Sequence, residues 1–84
     1  MNAIQEIEAA VKLRFPTIKT HIDVPDKPHN FWYLDIVGKR SIVIEWQPMQ
    51  GFGLSADPHF YGERADELLP SAETVIVRIA EILA

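Results

Sequence analysis

The chain has 84 residues, 48% of them apolar and 24% charged, with no cysteine and a formal charge of −4. A chain of this length folds as one domain, residues 1–84, around one modest core, and its composition excludes disorder, a disulfide framework, a thiol nucleophile and a thiolate metal site. The charge is uneven, six Lys/Arg against five Asp/Glu in residues 1–42 and two against seven in residues 43–84, which leaves no basic patch for nucleic acid and allows a basic protein partner.

Asn2 can cap a helix with Gln5 at the reciprocal position, and Ile4, Ile7, Val11 and Phe15 form one stripe until Pro16 ends it. Leu13 lies on the far side of that helix and is expected to be exposed. Ile18, Thr20, Ile22 and Val24 alternate with Lys19, His21 and Asp23, the period of a half-buried strand, closed by Pro25 and placed at or near a sheet edge. After the turn residues PDKPHN, the runs FWYLDIV and SIVIEW read as a hairpin about Gly38.

The hairpin register follows from burial. A two-residue turn at Gly38-Lys39 would set Trp32 opposite Glu45 and Asp35 opposite Ile42, mixing apolar and charged side chains on both faces. A loop of odd length sets Trp32 opposite Trp46, Leu34 opposite Ile44 and Ile36 opposite Ile42, so that one face is wholly apolar. On the other side His21 falls opposite Asp35, Asp23 opposite Tyr33, and Tyr33 opposite Glu45.

The segment QPMQG then reads as a second hairpin connection, with Pro48 opening a turn and Gly51 in the left-handed conformation that closes a four-residue loop. That loop length puts Trp46 opposite Gly53, its indole covering the gap a strand glycine leaves. It also puts Phe52 and Leu54 on the same side as Tyr33. Residues 56–69 break the pattern and read as an irregular crossing segment, which either covers that side or leaves it open. Ser71 caps a last helix whose stripe is Ala72, Val75, Ile76, Ile79 and Leu83. The fold class is therefore α+β: a two-layer domain of order αββββα, with a four-stranded antiparallel sheet and both the N- and C-terminal helices packed on its Trp32/Trp46 face.

Three motifs invite chemistry and none has its context. GFGLSA matches the dinucleotide fingerprint, but a prolyl turn precedes it and Asp57-Pro58 follows where a helix is required. His21, His29 and His59 lack the spacing of metal ligands, so neither a metal nor another cofactor is expected. No pair of carboxylates carries a signal of burial in a cleft, so catalysis is not expected. No apolar run approaches the roughly 18 residues of a membrane span and MNAIQEIEAA does not read as a secretory signal, so a cytoplasmic protein without membrane association is expected.

The span EWQPMQGFGLS followed by YGERADE resembles a pattern of small, largely uncharacterised bacterial proteins: Glu45, Trp46, Pro48, Gly51, Phe52, Gly53, Leu54 and Ser55, then Tyr61, Gly62, Glu63, Asp66 and Glu67 ahead of a final helix. Arg64-Ala65 stands where that pattern more often has a Gly-Pro-like pair. The resemblance covers the C-terminal half and implies no particular activity.

Aromatic residues within a polar rim are what interfaces use. The sequence therefore points to a non-catalytic interaction domain, an acidic inhibitor of the immunity or antitoxin kind or a small regulatory adaptor. Its partner-binding residues are Tyr33, Asp35, Glu45, Phe52 and Leu54, with Glu63, Asp66 and Glu67 as an acidic rim. The same patch could close a homodimer. The competing reading is a small-ligand-binding or enzymatic domain built on His21, Tyr33, Asp35 and Glu45.

Overall fold

A computed structural model describes residues 2–27, 30–48, 50–58 and 65–84. Helix α1 (Ala3–Arg14) leads into strands β1 (Lys19–Asp23), β2 (Trp32–Val37), β3 (Ser41–Trp46), β4 (Phe52–Ala56) and β5 (Glu67–Leu69), and helix α2 (Ala72–Leu83) follows. The strands form one antiparallel sheet in sequence order, β1-β2-β3-β4-β5. The α+β class and the two flanking helices are as the sequence indicates; the sheet has a fifth strand, drawn from the end of the segment expected to be irregular.

Local chemistry starts both helices. The Asn2 carboxamide accepts from Gln5 N–H while Gln5 Oε1 accepts from Asn2 N–H, each at 2.9 Å, and Ser71 and Thr74 repeat the exchange at the head of α2. These reciprocal caps satisfy amide groups the first turn leaves without partners. Ile4, Ile7 and Val11 then bury one stripe of α1, and Val75, Ile79, Ile82 and Leu83 one stripe of α2, while Leu13 stands 86% exposed on the outer side.

The stripes pack on a sheet face made by Leu34 and Ile36 of β2, Ile42 and Ile44 of β3, and Phe52 and Leu54 of β4. The β2–β3 register sets Trp32 opposite Trp46, Leu34 opposite Ile44 and Ile36 opposite Ile42, and the β1–β2 register sets His21 opposite Asp35 and Asp23 opposite Tyr33. Both match the sequence reading. The two indoles meet edge to face at 6.2 Å, and Trp46 stacks on Phe52 at 6.3 Å.

The β3–β4 register differs by one residue. Trp46 pairs with Phe52 and Glu45 with Gly53, so the loop runs from Gln47 to Gly51, one residue longer than expected. Because side chains alternate, that single step turns Phe52 and Leu54 from the outer face into the core, where they are 5% and 0% exposed. Gly51 is not left-handed; its side-chain position instead faces the Leu69 carbonyl at 3.1 Å.

Candidate functional site

The sheet face opposite the helices carries the alternate residues: Lys19, His21 and Asp23 of β1, Tyr33, Asp35 and Val37 of β2, Ser41, Val43 and Glu45 of β3, Gly53 and Ser55 of β4, and Leu68 of β5. Cross-strand neighbours on one face lie close enough for their side chains to interact. Four residues singled out from sequence, His21, Tyr33, Asp35 and Glu45, therefore share one surface.

Around Tyr33 the surface is aromatic and acidic. Phe31, just ahead of β2, is 43% exposed, and its ring centroid lies 6.3 Å from that of Tyr33. Burial, then the neighbouring Glu45 and Asp23 carboxylates, raise the Tyr33 phenol above its ordinary value, so at neutral pH its hydroxyl remains a donor. Two hollows flank this aromatic pair and share Phe31. One, of about 460 Å³, is lined by Asp23, Pro25, Asp26, Asn30 and Tyr33 among others. The other, of about 470 Å³, is lined by Glu45, Gln50, Gly53, Leu68 and Pro70 among others. Leu68, 82% exposed, is the most prominent apolar side chain on this face.

Part of the face is covered. Gly53 has no side chain, and the space above it is filled by the Glu45 carboxylate from β3 and the Ala65 methyl from the segment leading into β5. Asp66 completes the join: its N–H donates to the Leu54 carbonyl at 3.0 Å and its carboxylate accepts the Ala56 N–H at 3.1 Å. Ala65 and Asp66 thus lie over the β4 end of the face, with Phe31 and Leu68 exposed beside it. At the opposite corner Asp57, in the left-handed region at φ 49°, accepts from Ser41 N–H and from Arg40. Those two donors, the backbone one foremost, hold its carboxyl below the ordinary carboxylate range.

The expected partner-binding set is redistributed. Tyr33, Asp35 and Glu45 lie on the open face; Phe52 and Leu54 lie in the core, a correction that follows from the register. Glu67 faces the helix side, opposite Leu54, and both its oxygens accept from Arg78 Nε at 2.9 Å, tying β5 to α2. Asp66 is engaged with β4, so the expected rim at these two positions is a structural join. Glu63, with His29 and His59, lies outside the described residues. Among the described residues no three His, Asp or Glu gather as a metal-holding group, and no helix is long and apolar enough to cross a membrane. Residues 51–56 enter a strand and then a turn instead of a helix, so the glycine-rich match has no phosphate-binding geometry.

Sequence reasoning passed over Phe31 and Leu68. Phe31 continues the odd-numbered series of Tyr33 and Asp35, a signal that was available. Leu68 carries none, because nothing in ELL marks a three-residue strand or says which leucine faces outward. Comparison with protein-family models, curated proteins and solved structures found no match.

Proposed function

We propose that the chain is a non-catalytic protein-interaction domain that receives a basic partner on its open sheet face, acting as an acidic inhibitor of the immunity or antitoxin kind or as a regulatory adaptor. The observation that carries this reading is exposed Phe31, packed beside half-buried Tyr33 and facing Leu68 across one hollow, with Asp23, Asp26 and Glu45 on the borders. Apolar side chains grouped within a polar rim mark interaction sites, and aromatic anchors inside an acidic border suit a partner presenting Arg or Lys beside apolar surface. Both helices lie on the other face, so nothing in their packing competes for it.

The test is capture from a lysate of the native host by immobilised wild type and surface variants. Phe31→Ala and Leu68→Ala should each lower capture of a common partner about tenfold or more while the fold is retained. Asp23→Asn with Glu45→Gln should mainly slow association and flatten its salt dependence. If no partner depends on these side chains, and a metabolite screen finds an activity lost on His21→Ala, the enzymatic reading replaces this one.

A further inference from the structure

The outer edge of β1 is a separate surface, and two bonds fix which of its backbone groups face outward. Gly38 N–H donates to the Arg40 carbonyl across the β2–β3 turn at 3.1 Å, and Asp57 N–H donates to the Ser41 carbonyl on the other side of β3 at 2.7 Å. Bonded and non-bonded pairs alternate along an antiparallel ladder. Leu34 and Ile36 therefore turn their backbone groups toward β3, and Tyr33, Asp35 and Val37 turn theirs toward β1. By the β1–β2 register, Lys19, His21 and Asp23 bond inward to β2. Thr20 and Ile22 point their N–H and C=O groups away from the sheet, and no described residue bonds them there.

We infer that this edge pairs with the β1 edge of a second copy of the chain, in the antiparallel register that places Thr20 opposite Ile22 and His21 on the twofold axis. Three registers bring outward residues face to face: Thr20 on Thr20, Thr20 on Ile22, and Ile22 on Ile22. Centring on Thr20 sets Lys19 opposite His21, and centring on Ile22 sets Lys19 opposite Pro25. The middle register alone overlaps the whole of KTHID and sets Lys19 opposite Asp23 of the second copy, twice by symmetry. Within one copy neither Lys19 nor Asp23 forms an ion pair among the described residues. One step further out, Ile18 meets Val24 of the second copy, covering a side chain that is 60% exposed.

Isolated edge strands are ordinarily blunted by shortness or by charges that repel a like strand. At three residues, β5 is short; β1 has five, and its charges are self-complementary in antiparallel pairing. The twofold axis stands perpendicular to the sheet, so the pairing leaves both helix layers on one side and joins the two open faces into one. The inference does not rest on the function proposed above, because it uses the strand's edge.

Sedimentation equilibrium over a concentration series tests it. Wild type should approach twice the 9.6 kDa monomer mass. Lys19→Asp and Asp23→Lys place like charges opposite one another, and each should weaken association about tenfold or more. An equimolar mixture of these two variants restores both attractive pairs and should associate as a heterodimer. Thr20→Pro, which removes an outward N–H that the monomer does not use, should stay monomeric with an unchanged circular-dichroism spectrum. A monomeric wild type throughout, wild-type association by Lys19→Asp, or failure of the mixture to associate would each overturn the inference.

Discussion

A methyl group added at Gly53 would lie 2.6 Å from Glu45 Oε1, 2.7 Å from Glu45 Cγ and 2.9 Å from the Ala65 Cβ. The Glu45 carboxylate can swing away, but Ala65 is held by the bonds of Asp66 beside it. Gly53→Ala should therefore cost about 1–3 kcal/mol in urea unfolding, through crowding, since its backbone is not left-handed. At Asp57 the prediction concerns pH. Its folded pKa is depressed, so its stabilising contribution is complete above the unfolded value of about 3.9 and is lost as pH falls through the lower folded one. Asp57→Asn keeps a residue that tolerates the left-handed backbone and removes the charge. Wild type should be the more stable protein at pH 6, and the difference should close as the pH drops below about 3.9. The caps at Asn2 and Ser71 were legible in the sequence because a cap depends on spacing within four residues. The role of Gly53 was not, because it depends on Ala65, twelve residues away.

The β3–β4 pairing yields the clearest contrast between elements. Leu54→Ala should cost about 2–5 kcal/mol because the side chain is fully buried, whereas Leu68→Ala should stay within about 0.5 kcal/mol. Equal costs would contradict the register. The rule that placed β2 against β3, apolar residues gathered on one face, also favours this register over the expected one, since it buries Phe52 and Leu54 with Trp46 and Ile44. The sequence reading went astray by giving Trp46 the task of covering Gly53, which Glu45 and Ala65 perform. The fifth strand was hidden for another reason: three residues are too few to show a period, and its pairing comes from β4. Its tie to α2 through Glu67 and Arg78 is partly exposed, so Arg78→Ala should cost no more than about 1 kcal/mol.

For the molecule as a whole, the sheet is a meander in which every strand pairs with its neighbour in sequence, while the helix layer brings together α1 and α2 from opposite ends of the chain. Local pairings close small loops and cost less entropy than the joining of distant segments. The β2–β3 hairpin should accordingly be more structured in the folding transition state than the helix layer. Ile44→Val should slow folding, and Ile79→Val should chiefly speed unfolding, as a stopped-flow chevron would show. The open face was legible in β1, β2 and β3, where alternation is long and clean. It was lost at β4 and β5, where Ala65 and Asp66 lie over Gly53 and Ala56 and decide what remains exposed.

The short strand β5 also fixes a direction. Each antiparallel strand reverses the chain, so an odd number of them returns α2 to the heading of α1, where four would have opposed the two. Arg14 and Phe15 from the end of α1 and Leu83 from the end of α2 accordingly line one groove. The peptide dipoles of the two helices then add instead of cancelling. Side-chain charge answers them at both poles: Glu6 and Glu73 occupy the first turns, Lys12 and Arg14 the last turn of α1, and Lys39 Nζ reaches the Ala84 carbonyl at 3.2 Å beyond α2. Three residues of strand thereby give this small acidic domain a polar axis, with Lys12, Arg14 and Lys39 gathered where two helices end.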